Sequence, residues 1–237
     1  MSFRVVIDSC GELTDEMKKS GNFVSAPLTL QVDEYIVQDD EEHFNQAEFL
    51  KKVAECPNCP KSSCPSPEIY RDAYDCDADH VYAVTLSEKL SGSYNSAVLG
   101  KNLYLEDHPD AKVYVFNSCS ASVGETLIGL KIQELEEKGL SFEEVVEQTE
   151  AYILSQDTWF VLENLDTLRK KRPSRYRKGS GSDRTEDQTG HGINRRRHDY
   201  SAGSGKRHEE SSCKNGRFNR GEKIIRSTGA YGWNRSL

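Results

Sequence analysis

Apolar residues fall into short β-type runs separated by stretches of helical period through the first 170 residues, and the pattern then stops. Val5-Val6-Ile7, His80-Val81-Tyr82-Ala83-Val84-Thr85, Val113-Tyr114-Val115-Phe116 and Trp159-Phe160-Val161-Leu162 are β-branched and aromatic runs of strand length. Leu28-Thr29-Leu30-Gln31-Val32 and Tyr35-Ile36-Val37 flank Asp33-Glu34 and predict a hairpin. A short helix is expected at about 14–19, and another at 45–55 with Ala47, Leu50, Val53 and Ala54 on one face. Ser66-Pro67 places a serine cap before a first-turn proline and starts a helix to about Cys76. Further helices are read from Tyr94 to Leu105 and from Ser122 to Lys138. The second has Leu127, Leu130 and Leu135 inward and Gly139 as its stop. Ser141 and Glu144 form a capping box for a helix to about Ser155, and a last short helix is read at Leu165–Lys170. Strands alternating with helices, on connections too long for hairpins, predict an α/β fold: a parallel sheet with helices on both faces.

Several of the predicted strands end in serine-bearing loops. Asp8-Ser9 closes the first, Ser91-Gly92-Ser93 follows the run at 80–85, and Asn117-Ser118 closes the run at 113–116. A further cluster, Ser62-Ser63-Cys64-Pro65-Ser66-Pro67, lies between the first two. In open α/β sheets ligands bind where loops leave the carboxyl ends of the strands. Hydroxyls gathered there suit a carboxylate, a phosphate or a polar head group. Ser91-Gly92-Ser93 also opens a helix, whose free N–H groups favour an anion. Simple helix capping is the competing reading for Ser91, Ser93 and Ser66, and Asp8-Ser9 is read as hydrogen-bonding neighbouring loops.

Composition breaks where the pattern does. Residues 171–237 carry 17 Lys and Arg against 7 Asp and Glu, a net +10, which leaves −18 for residues 1–170 of a chain whose total is −8. All 15 valines precede residue 171. The basic segment has too few large hydrophobes to offset a backbone entropy loss of roughly 1–2 kcal/mol per residue. The domain reading is therefore 1–170 as an α/β domain and 171–237 as a low-complexity segment. The latter is read as a disordered basic tail, an out-of-frame translation product or a cryptic domain. The abrupt join favours the out-of-frame account. No 18-residue apolar run predicts a membrane span, and the N-terminus enters a strand with no signal-peptide core, so a cytoplasmic location is expected.

Other chemistry is weakly signalled. Cys56, Cys59, Cys64 and Cys76 invite a zinc reading, but Cys76 ends a predicted helix and convergence on one tetrahedral centre is awkward. Neither a metal nor a cofactor is expected, and the cysteines are read as reduced thiols. A serine hydrolase would need a histidine base. His43, His80 and His108 all read as surface residues, and no Gly-x-Ser-x-Gly elbow occurs. The acidic charge of residues 1–170 argues against specific nucleic-acid binding.

Six segments in order resemble the DegV family of bacterial fatty-acid-binding proteins over about residues 3–170. They are Val5–Ser9, Ala26-Pro27-Leu28, Lys61–Pro67, Leu90–Ala97, Asn117–Gly124 and Leu162–Lys170. The resemblance implies a two-domain α/β protein that encloses one long-chain fatty acid and presents it to a separate acyl kinase, acting as a carrier and not as the catalyst. By position it implies Ser62 and Ser91 as carboxylate ligands, with Ser9, Ser63, Gly92, Ser93 and Ser118 supporting the edge of the site. Ser62 stands where threonine is usual, which keeps the hydroxyl, and Cys64 stands where glutamine is common. Burying about sixteen methylenes at ~0.8 kcal/mol each supplies ample gross binding energy, before association costs. The family's second α/β domain is missing from the pattern or out of frame after Lys170, so poor folding and weak lipid binding are expected. Two rival readings remain. One is a serine-dependent acyl transferase or hydrolase using Ser91, and the other is an interaction protein acting through its basic tail.

Overall fold

In the computed structural model the described residues are 2–162, 190–193 and 226–227. The elements run β1 (Phe3–Asp8), α1 (Asp15–Ser20), β2 (Phe23–Ala26), β3 (Thr29–Val32), β4 (Tyr35–Gln38), α2 (Gln46–Glu55), β5 (Lys61–Ser63) and α3 (Pro67–Tyr74). They continue with β6 (His80–Thr85), α4 (Ser93–Asp107), β7 (Lys112–Asn117), α5 (Val123–Glu137), α6 (Phe142–Ser155), β8 (Thr158–Leu162), β9 (Gly190–Ile193) and β10 (Arg226–Ser227). The chain divides after Thr158 into two units.

In the first unit β2, β1, β6 and β7 form a four-stranded sheet in that order, parallel throughout. Successive side chains of a strand point to opposite faces, so each apolar run supplies two cores. Val5, Ile7, Tyr82, Val84 and Phe116 pack with Met17, Ile128, Ile132, Leu135, Val145 and Ile153 of α1, α5 and α6. Val6, Val81, Ala83, Val113 and Val115 pack with Tyr70, Tyr74, Ala97 and Tyr104 of α3 and α4. The expected parallel sheet with helices on both faces is present. The capping signals fall where they were read: Ser66 Oγ accepts from Ile69 N, and Ser141 Oγ accepts from Glu144 N.

Helix faces were harder to read than helix positions. On α5, Leu127 and Leu130 are 43 and 38 % exposed, not inward, while Ile128, Ile132 and Leu135 are buried. Gly129 lies at the close approach, where a Cβ would be 2.7 Å from Ile7 Cδ1 and 3.2 Å from Met17 Cε. The small residue brings α5 close to β1, with Ile128, Ile132 and Leu135 on the packed face and Leu127 and Leu130 turned out. On α2 the buried residues are Phe49 and Val53, and Ala47 and Ala54 are exposed. The aromatic ring outweighs the alanines because it removes far more apolar area from water. Gly100 is the close approach of α3 and α4, since a Cβ there would lie 2.5 Å from the Pro67 carbonyl oxygen.

The hairpin around Asp33-Glu34 forms as β3 and β4, with Asp33 at φ 49°. The segment Lys61–Ser63, read as loop, is the strand β5, paired antiparallel to β3 with Ser62 opposite Leu30 and Ser63 opposite Thr29. This small sheet has its own core of Leu30, Val32, Val37, Phe49, Val53 and Cys56.

In the second unit β8 lies between β10 and β9 in a three-stranded sheet, and β8 pairs parallel with β10. The expected strand at 159–162 is present but does not join the four-stranded sheet. The predicted helix at 165–170 and the remainder of 171–237 lie outside the described residues. Among the described residues no helix is long and apolar enough to cross a membrane.

Candidate functional site at the carboxyl edge

Asp8 ends β1 fully buried, and it organises the loops around it. Its carboxylate accepts from Cys10 N at 3.2 Å, Leu86 N at 2.8 Å and Ser93 Oγ at 2.6 Å. The Ser93 hydroxyl also lies 2.9 Å from the Tyr70 hydroxyl of α3. Burial pushes the Asp8 carboxyl above its ordinary value, and these donors oppose that push by favouring the charged form. Hydrogen bonds to a charged acceptor are about twice as strong as neutral ones, so one aspartate binds the loops after β1 and β6 and the start of α4 into one piece. The loops after β6 and β7 are joined in turn by Ser87 N donating to Ser120 O at 3.0 Å.

The serines at this edge separate into two kinds. Ser93 and Ser118 are buried and engaged: Ser93 on Asp8 and Tyr70, Ser118 on Ser120. Ser9 donates to Asp39 Oδ2 at 2.9 Å and accepts from Leu28 N at 3.0 Å, a structural tie of the kind expected for Asp8-Ser9. Ser62 and Ser63 are exposed on β5. Ser91 Oγ accepts from Ser93 N at 3.2 Å, a bond that leaves its hydroxyl proton available. The two clusters meet through Cys64. Its Sγ lies 3.8 Å from Ser96 Oγ, and a Cβ on Gly92 would lie 3.2 Å from that sulfur. The loop after β5 thus lies against the start of α4, with the Cys64 sulfur beside Gly92.

Sequence reasoning missed the buried half of this edge. Glu125, at the start of α5, is fully buried, and its Oε1 accepts from Ser122 N at 2.8 Å. Burial and the neighbouring Asp8 push the Glu125 carboxyl well up. Burial likewise pushes up the Cys10 thiol, with Glu125 and Asp8 adding to it. A Cβ on Gly11 would lie 3.0 Å from Glu125 Cβ, so the glycine admits the acid. Ser122 has φ 58° and ψ −120°, a region sparsely populated by any residue but glycine. The only available signal was Glu125 three residues after Ser122, the spacing of a capping box.

The four cysteines considered for zinc do not gather. Cys56 Sγ donates to Asp33 Oδ2, Cys59 Sγ to the Pro60 carbonyl, and Cys64 contacts Ser96. Among the described residues the set with metal-ligand geometry is Asp8, Cys10 and Glu125. His80, read as a surface residue, is 2 % exposed: its Nδ1 lies 2.7 Å from Glu136 Oε1, and that buried partner is why a histidine fits there. His43 and His108 are exposed as expected. Among the described residues none of the three hydrogen-bonds a serine: His43 binds Asp40, and His108 stacks on Tyr104. A cleft lined by Arg71, Asp75, Tyr104 and His108 among others draws on none of the serine loops.

The fold and this edge define an α/β protein with hydroxyl-bearing loops gathered at the carboxyl ends of a parallel sheet. The model of the DegV family, which it describes as uncharacterised proteins, matches residues 2–171. The chain belongs to the DegV family. A DegV domain-containing protein of Streptococcus pneumoniae strain R6 is 39 % identical over 172 residues, covering 72 % of this chain and 60 % of the relative. A DegV-family protein of Ruminococcus gnavus, refined with vaccenic acid, superimposes with a TM-score of 0.69 at 57 % identity, over 73 % of this chain and 61 % of its own. The Streptococcus pneumoniae Fatty Acid Kinase (Fak) B3 protein, loaded with linoleic acid, superimposes with a TM-score of 0.63 at 38 % identity, over 72 % and 60 %. The chain therefore spans about 60 % of the length of the curated relatives it matches.

Proposed function

We propose that this chain binds a long-chain fatty acid at the carboxyl edge of its parallel sheet and presents it to a separate acyl kinase. Ser62 and Ser91 donate their hydroxyls to the carboxylate. Gly92, Ser63 and the engaged serines Ser9, Ser93 and Ser118 hold the loops in place. The observation that carries this reading is the Cys64 contact, which sets the β5 cluster against Ser91-Gly92 in a chain similar to proteins described with bound fatty acids. A carboxylate needs donors and not a cation, and two hydroxyls with a helix start beside them supply donors. The kinase partner is inferred from the likeness to the Fak B3 protein.

The test is titration of the purified full chain with a fluorescent fatty acid, with displacement by vaccenic and linoleic acids. Ser62→Ala and Ser91→Ala should each weaken binding by about 1.5–3 kcal/mol, the range for a hydrogen bond to a charged group. Unchanged affinity in the double variant would remove both residues from the site. Covalent labelling of Ser91 by a serine-reactive acyl probe would instead support the acyl-transfer rival.

A further inference from the structure

Glu125 Oε2 is buried and no donor reaches it. The acid groups of Asp8 and Glu125 and the Cys10 sulfur lie within 4.8 Å of one another. Asp8 is already supplied with two backbone N–H donors and the Ser93 hydroxyl. The groups acting most strongly on Glu125 are Asp8, Ser122 and Cys10, none of them a cation. Two ionised carboxylates in such a place would repel with nothing to compensate, and an unpaired buried charge is strongly destabilising. A buried carboxyl oxygen left without a donor can become a donor itself if the acid keeps its proton.

We propose that Glu125 keeps its carboxyl proton and donates it from Oε2 to Asp8, so that one carboxyl–carboxylate hydrogen bond ties the start of α5 to the loops that carry Ser91 and Ser93. Glu125 then holds Ser122 N through Oε1 and Asp8 through Oε2. Asp8 passes the connection to Leu86 and Ser93. Glu125 is thus a positioning residue, one hydrogen bond removed from the serine loops.

The other titratable groups facing the pair are Cys10 from the loop after β1 and Tyr70 from α3. Burial holds both well above their ordinary values, so both are neutral near pH 7. The folded chain thus binds one proton that the unfolded chain releases above the ordinary carboxyl range. Stability from this proton is full below that range and falls as pH rises toward the raised value of Glu125. Within that window the unfolding equilibrium constant grows tenfold per pH unit from this group alone.

The experiment compares the full wild-type chain with Glu125→Gln and Glu125→Ala. The glutamine amide can donate to Asp8 as the protonated acid does. Urea unfolding from about pH 5 upward should give, until Glu125 itself titrates, a wild-type slope larger by one proton than that of Glu125→Gln, while Glu125→Ala is less stable than both throughout. An infrared band of a protonated carboxyl should be present in wild type at neutral pH and absent in Glu125→Gln. No such band in wild type overturns the proposal even if neither variant folds. Equal slopes in wild type and Glu125→Gln overturn it as well. A stoichiometric metal that co-purifies with wild type and is lost in Glu125→Gln would assign the place to a cation instead. None of these readouts depends on which ligand the serine edge takes.

Discussion

β6 ends in buried polar chemistry at both of its ends, and the two ends are built differently. At the amino end, His80 Nδ1 and the Tyr82 hydroxyl both bond Glu136 Oε1, at 2.7 and 2.6 Å. The cluster is sealed by the rings of Phe142 and Phe116 stacked on Tyr82. No atom of these three polar side chains is left buried without a partner. At the carboxyl end, beside Asp8, the picture is the reverse. Ser122 sits at φ 58° with its Oγ buried and unbonded, Glu125 Oε2 lacks a donor, and Ser62 and Ser63 are exposed. Buried polar groups in folded proteins are nearly all paired, and exceptions point to function or strain. The amino-end cluster is fully paired, whereas the carboxyl-end cluster keeps unpaired and strained groups beside the stabilising bonds of Asp8.

The contrast is broken most severely at Asp8. Asp8→Ala removes the acceptor of three hydrogen bonds, strands Leu86 N and Cys10 N, and leaves the Ser93 hydroxyl only Tyr70. A loss of about 3–5 kcal/mol is expected, the range for breaking a buried charged network. Urea unfolding measures it. Asp8→Asn should fall between the two, because the amide keeps one acceptor oxygen. A loss under about 1 kcal/mol for Asp8→Ala would show that the loops are held by other contacts.

Glu136→Ala tests the other end. It strands His80 and the Tyr82 hydroxyl, and a loss of about 2–4 kcal/mol is expected from two unmade buried hydrogen bonds. Fatty-acid affinity of the folded fraction should stay unchanged, whereas Asp8→Ala should lose it. If both variants weaken binding equally per unit of lost stability, the two ends are not functionally distinct.

How much of this was legible depended on the kind of signal. The strands and the capping residues were readable because local rules govern them: the β-branched run Val5-Val6-Ile7 favours a strand, and Ser66-Pro67 favours a helix start. The faces of α5 and α2 were not, because tertiary contact decides them, through Ile128 and Ile132 on α5 and Phe49 on α2. β5 was hidden because three residues carry no period, and its partner β3 lies about thirty residues earlier in the chain. Ser62 and Ser91 are proposed from the family resemblance alone, and their loops are adjacent through Cys64. Glu125 and Ser122 were passed over because a capping box and a buried acid pair look the same in sequence. His80 was misjudged for want of knowing that Glu136 reaches it.

Gly100→Ala sharpens the packing side of the comparison. The new methyl would lie 2.5 Å from the Pro67 carbonyl oxygen and 2.8 Å from Tyr70 Cβ, both on α3. Such overpacking costs about 1–3 kcal/mol. It should also shift Tyr70 and, through it, Ser93, so binding should weaken along with the melting temperature. A fully retained affinity would show that the Tyr70–Ser93 bond does not position the Ser91 loop.

The smallest effect has the opposite sign. Ser122 occupies a backbone region that a side chain disfavours, and its Oγ contributes no hydrogen bond. Its N–H still donates to Glu125, and its carbonyl still accepts from Glu125 N at 2.8 Å. Ser122→Gly keeps both of those backbone bonds, relieves the strain and deletes the unbonded hydroxyl. Against this stands the greater entropy of glycine in the unfolded chain. Strain of this kind is about 1–3 kcal/mol and the glycine penalty is roughly 0.5–1 kcal/mol, so a net gain of about 1 kcal/mol is expected. It would appear as a raised melting temperature for the full chain. A variant that is more stable yet binds fatty acid less well would show that the strained serine serves the ligand. A variant that is less stable would mean the Ser122 hydroxyl has a buried partner, such as an ordered water, and the contrast between the two ends of the sheet would shrink accordingly.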